Sequence, residues 1–252
     1  MNGFGAITGI SLLLVRPGMV IVSTPFFGRL YAPAHVRAGL SLLLALAIAP
    51  FVPQGAAVTG MGMTVAIIRE AAIGLSIGMS IRVLVAGIEL AGQLSGYQAG
   101  FSYGALVDPQ GGVRNPLVSA LYANVAVLFC FMTDVHHALL RALVSSYHAL
   151  PIGTGGMGPD LAAAVAKMLG QVFIIGARLA TPFVVVLLLV EIAMGLMARV
   201  APSLNPMAVG APLRGLVGLL AISWTVSSLP SFVNRYAPSL LQLAADTARI
   251  FR

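Results

Sequence analysis

Asp134, His136, His137 and His148 fall in one short stretch, and histidine with aspartate is the residue chemistry of a metal site. The spacing argues against one. There is no HExxH pair with an acid, and His137 and His148 lie about three helical turns apart, so these histidines are expected on an amphipathic helix face with no metal bound. Cys130, the sole cysteine, sits among Leu128, Phe129, Phe131 and Met132, which rules out a disulfide framework and reads as a buried, inert thiol. No GxSxG elbow, Walker A loop or dinucleotide glycine fingerprint occurs. No catalytic residue and no cofactor is expected, and the chain reads as a non-enzyme.

The more informative polar residues are charged. Arg16, Arg69, Glu70, Arg82, Glu89, Arg178 and Glu191 all lie inside long apolar runs. An ionised side chain facing lipid at mid-bilayer costs about 2.5 to 3.5 kcal/mol on insertion scales, so such residues need a protein partner or water. They are expected to be buried charges, either in ion pairs that hold a bundle or along a polar path or subunit interface. Arg82 and Glu89 share a helix face about two turns apart, too far for a direct bridge, and the adjacent Arg69 and Glu70 point in different directions and need separate partners.

The elements that must position these charges are membrane-type helices. Hydrophobic residues make up 59% of the 252 and charged residues only 8%, a balance that excludes an ordinary soluble domain. The mean hydropathy of +0.98 agrees. The net charge of +7 comes from thirteen arginines and one lysine, Lys167, scattered singly without a basic patch, so nucleic acid is not an expected partner. Apolar segments run near Gly5 to Val22, Val36 to Phe51, Met63 to Leu90, Leu117 to Thr133, Val172 to Met197 and Leu213 to Leu229. The first lacks a basic lead-in and carries Arg16-Pro17 at its middle, so it reads as a retained helix, kinked or broken at Pro17, not as a secretory signal. Val135 to Leu150 and Tyr236 to Arg252 read as amphipathic stretches. With six spans the loop arginines and lysine divide evenly between the two sides, so no orientation follows. The level tally fits a miscounted span or a protein positioned by partner subunits.

Glycines supply a packing signal. Gly74 and Gly78 are four apart, and Gly92, Gly96, Gly100 and Gly104 repeat that spacing, which on a helix makes a stripe without side chains. Each costs roughly 1 kcal/mol against alanine, so the stripe implies close backbone packing, against another helix of this chain or against a neighbouring subunit. The run Val107, Asp108, Pro109, Gln110, Gly111, Gly112, Val113, Arg114, Asn115 and Pro116 opposes both helix and strand. Lying between apolar segments, it either caps a hairpin in solvent or enters at membrane depth, where irregular backbone survives only if buried or lining water.

Taken in order, these features resemble the FliR family of the flagellar type III export gate, whose injectisome counterpart is SctT. The resemblance rests on Arg16 and Pro25, Arg69-Glu70 followed by Gly74 and Gly78, and Gly92 to Gly104 leading into Asp108-Pro109. It continues through Asn115-Pro116, His137, the run SYHALPIG from Ser146 to Gly153, Pro182, and APSLNPMAVGAPLRG from Ala201 to Gly215. It implies an all-α, integral-membrane-type protein with broken or kinked helices, in the bacterial inner membrane at the flagellar basal body. It implies FliP-like and FliQ-like gate partners, FlhB-like and FlhA-like export proteins with an ATPase complex nearby, and unfolded proteins as substrates. Residues 1–165 would be the FliP-like portion and 166–252 a FliQ-like hairpin with a C-terminal amphipathic segment, and the loop from Val107 to Pro116 would plug the closed pore. An injectisome subunit and a secondary transporter for a small solute are the alternatives, the latter because transporters also use broken helices and intramembrane charges.

Overall fold

The computed structural model describes residues 3–27, 32–53, 61–101, 117–154, 161–201 and 206–250. Among them every regular element is helical. The helices are α1 (Gly3–Ser23), α2 (Ala34–Ile48), α3 (Met61–Gln98), α4 (Leu117–Met132), α5 (Val135–Ala149), α6 (Leu161–Val200) and α7 (Pro206–Arg249), with 3-10 turns at Pro25–Phe27 and Ala49–Phe51. Helix is what apolar surroundings demand of such sequences, because each segment then pairs its own backbone N–H and C=O groups. Four segments are long and apolar enough to cross a membrane: Ala34–Phe51, Gly62–Gln98, Ala162–Val200 and Val209–Arg249. α4 and α5 pass the same test as a pair bent by 68°.

Several boundaries differ from those expected. α1 runs through Pro17 without a break. Tyr236 to Arg252 is not a separate amphipathic piece, because α7 continues from the preceding apolar segment to Arg249 with Pro230 and Pro238 inside it. Hydropathy windows stop where charge begins, whereas backbone hydrogen bonding continues as long as no residue forces it to stop. Gly100 leaves the expected helical stripe: α3 ends at Gln98 and Gly100 has φ 85°, a left-handed conformation that glycine adopts without a Cβ penalty.

The chain forms two compact units, and α3, α4, α6 and α7 contribute to both. The first comprises Met1–Leu84, Phe131–Gly170 and Asn234–Arg252. Its core includes Leu12, Val20 and Ile21 of α1, Ile73 and Ile77 of α3, and Leu139, Leu143 and Tyr147 of α5. The second comprises Val85–Cys130 and Gln171–Val233, with Ile88, Tyr122, Ala126, Cys130, Ile175, Phe183 and Leu187 in its core. Both units draw residues from either side of position 165.

Candidate functional site

In the first unit the charges converge on Arg16, which is fully buried on α1. Its Nε donates to Glu70 Oε2 at 2.7 Å, one terminal nitrogen donates to Ser146 Oγ at 3.0 Å, and the other donates to the Leu150 carbonyl at 3.1 Å. The guanidinium carbon also stands 4.1 Å from the centre of the Tyr147 ring. Arginine suits this position because its planar fork serves several acceptors at once and stacks on an aromatic face. Ser146 can accept because its own proton goes to the Leu143 carbonyl, at 2.6 Å. The Leu150 carbonyl lies just past the last turn of α5, where backbone acceptors lack helical partners. Arg69 is also buried, and its terminal nitrogen lies 3.8 Å from Glu70 Oε1, a longer contact than that of Arg16.

The same face of α3 explains how α1 comes close enough. Glu70, Gly74 and Gly78 are spaced by four and share a side. A Cβ on Gly74 would run into the Arg16 carbonyl oxygen, and one on Gly78 into Ser23 Oγ and, at 2.9 Å, the Val20 carbonyl oxygen. Glu70 thus supplies the charge and the two glycines supply the clearance. Backbone cannot move aside as a flexible side chain can, so side chains at Gly74 or Gly78 would push α1 away from α3.

Pro17 adds a further link. Without an N–H, it leaves the carbonyl of Leu13 with no helical donor four residues on. Tyr147 donates its hydroxyl to that oxygen at 3.1 Å. One aromatic residue therefore satisfies the acceptor freed by Pro17 and lies against the guanidinium next to it.

The second unit packs through glycine, and among its described residues no charged side chain is buried. A Cβ on Gly92 would meet Ser119 Cα and Tyr122 Cβ of α4, each at 2.9 Å. Gly87 and Gly176 form a reciprocal crossing of α3 and α6: a Cβ on the first would meet Ile175 Cγ2 at 2.5 Å, and one on the second would meet Leu90 Cδ2 at 2.8 Å. Neither belongs to the four-residue repeat, which is why periodicity missed them. Gly96 is buried on α3, while Gly104 lies outside the described residues.

Of the seven charges expected inside, Arg16, Arg69 and Glu70 are buried, whereas Glu89 is half-buried and Arg82, Arg178 and Glu191 are exposed. The chain itself therefore does not enclose these last three. Each lies on a long apolar helix, but on a side that the rest of the chain does not cover. Glu191 pairs with Arg214 at 3.3 Å, partly open to the surroundings. Arg82 and Glu89 have no ion pair among the described residues. Ser146 and Tyr147 were not singled out as partners of Arg16, although both belong to the SYHALPIG run. The loop Val107 to Pro116 lies outside the described residues.

The family profile described as "Bacterial export proteins, family 1" matches residues 7–239. The chain belongs to the FliR family. It is 31% identical to the flagellar biosynthetic protein FliR of Pectobacterium carotovorum subsp. carotovorum over 92% of this chain and 89% of that one. It is 27% identical to the FliR of Escherichia coli strain K12, over 92% and 90% of the two chains. To the FliR of Bacillus subtilis strain 168 it is 30% identical, over 84% and 83%. FliR-family membership makes this chain a non-enzymatic component of the flagellar protein-export apparatus, in the inner membrane at the flagellar basal body. The range that matches the FliR family holds Arg16, Glu70, Gly74, Gly78, Ser146 and Tyr147 together with the loop from Val107 to Pro116.

Proposed function

We propose that this FliR-family chain is a pore and gate subunit through which unfolded flagellar proteins pass, assembled with FliP-like and FliQ-like chains beside FlhB-like and FlhA-like proteins. The observation that carries the proposal is the surface of α6 that the chain leaves exposed. Large apolar side chains are exposed along it from Val165 through Phe173, Leu189 and Ile192 to Val200. At 1.5 Å per residue that stretch is about 53 Å long. The hydrocarbon core of a bilayer is about 30 Å thick, and fitting the stretch inside it would take a tilt of roughly 55°, beyond the range of about 0 to 40° seen for membrane helices. Lipid cannot cover this face alone, and neighbouring protein subunits can.

The loop from Val107 to Pro116 is proposed to plug the closed pore. Gly111 and Gly112 let backbone fold into a narrow space without side chains, and Pro109 and Pro116 limit helix invasion from either end. Two experiments test the reading. Co-expression with FliP-like and FliQ-like chains is expected to convert an ill-behaved chain in detergent into one defined particle, and a homogeneous monomer unchanged by co-expression would contradict it. Removing Gln110 to Val113 is expected to leave that particle intact while the closed gate leaks ions, seen as membrane depolarisation. A particle as tight as wild type would return the loop to a simple connection.

A further inference from the structure

We propose that Asp134, His136 and His137 bind a divalent transition-metal ion of the Zn²⁺, Co²⁺ or Ni²⁺ class at the break between α4 and α5. From sequence these residues belong to an amphipathic face; the FliR-family resemblance includes His137 as a position but assigns no role to any of the three. The structure brings one ligand atom from each within 4.8 Å of the others. Two imidazole nitrogens and one carboxylate oxygen match borderline transition ions, whereas Ca²⁺ and Mg²⁺ prefer sets made of oxygen.

The local backbone produces this convergence. Asp134 is the only described non-glycine residue with positive φ, at 57°, and it occupies the position before α5 where an aspartate usually caps the helix. Its side chain makes no capping hydrogen bond. The carboxylate turns instead to the His137 ring, with Oδ1 3.0 Å from Nδ1. His136 packs against two rings at tilted angles, its centroid 4.1 Å from that of His137 and 5.3 Å from that of Phe131, which restrains its plane. In that position its Nδ1 is shielded from solvent and has no hydrogen-bond partner among the described residues. A shielded ring nitrogen left unpaired beside a second imidazole and a carboxylate is an unmet ligand atom. The start of α5 carries partial positive charge, which opposes a cation, and the Asp134 carboxylate offsets it. The side chains of Asp134 and His137 are 71% and 61% exposed, so an ion has a route in and coordination positions remain for water.

The test uses the full chain, purified in detergent through a tag without histidine and stripped with a chelator, then titrated with Co²⁺ and Zn²⁺. One ion per chain is expected, with visible Co²⁺ absorption bands of nitrogen and oxygen coordination. His136→Asn and His137→Asn should each weaken binding roughly tenfold or more, and Asp134→Asn should do so by a similar factor. His148→Asn, about three turns along the same helix, should bind like wild type. No binding by wild type, or equal binding by the His136→Asn/His137→Asn double variant, overturns the proposal. If a variant fails to fold, the Co²⁺ spectrum of the wild type decides alone, since bands without imidazole coordination also overturn it.

Discussion

The two units differ in the charge they enclose: among the described residues only the first buries any, although its Arg82 is exposed. The first encloses Arg16, Arg69 and Glu70 and meets Arg16 with a carboxylate, a hydroxyl, a carbonyl and an aromatic ring. The second leaves Arg178 and Glu191 exposed and Glu89 half-buried, and closes its helix crossings through Gly87, Gly92 and Gly176. The contrast separates two uses of a charge in an apolar helix. A charge enclosed with its partners fixes how helices of one chain meet, and an exposed charge on an apolar helix is one that this chain does not enclose.

The largest effect should come from opening the first unit's charge cluster. Glu70→Leu leaves the Arg16 guanidinium buried without its carboxylate, a loss expected to be about 3 to 5 kcal/mol. It should abolish both the folded particle and motility, whereas Glu191→Leu, at a partly exposed pair, should cost about 1 kcal/mol or less in thermal stability. Equal losses in the two variants would erase the contrast between the units.

Next in size is the α1 and α3 contact. Gly74→Val should destabilise by about 1 to 3 kcal/mol or more, because the new side chain meets backbone that cannot yield. Gly195 has nothing within 4 Å of a built Cβ, so Gly195→Ala should be neutral or stabilising by up to about 1 kcal/mol in a thermal melt. A smaller loss, about 1 to 3 kcal/mol, is expected for Tyr147→Phe, which strands the Leu13 carbonyl. Restoring a helical donor with Pro17→Ala should reduce that loss, and an unchanged cost in the Pro17→Ala background would remove the link between proline and tyrosine.

Much of this organisation is legible in the sequence because it follows from composition and spacing. Apolar runs give the helices, and the four-residue spacing of Glu70, Gly74 and Gly78 gives a face on which charge and clearance coincide. What sequence cannot supply is which face of a uniformly apolar helix the rest of the chain covers. Arg16 and Arg178 look alike in their apolar runs, yet one is enclosed and the other exposed. Apart from Glu70, the partners of Arg16 lie 130 or more residues away, on α5 and at its C-terminal end, a pairing that no local pattern encodes. Gly87 and Gly176 are isolated glycines whose meaning appears only when α3 and α6 cross.

The most direct test of a charge cluster satisfied within the chain is a double-mutant cycle on Arg16 and Glu70, with thermal stability of the co-expressed export particle as the readout. Arg16→Met and Glu70→Leu should each be severely destabilising, and the double variant should be no worse than the worse single one, because removing both leaves neither Arg16 nor Glu70 buried without the other. Losses that simply add would contradict it, showing that the two residues answer to different partners.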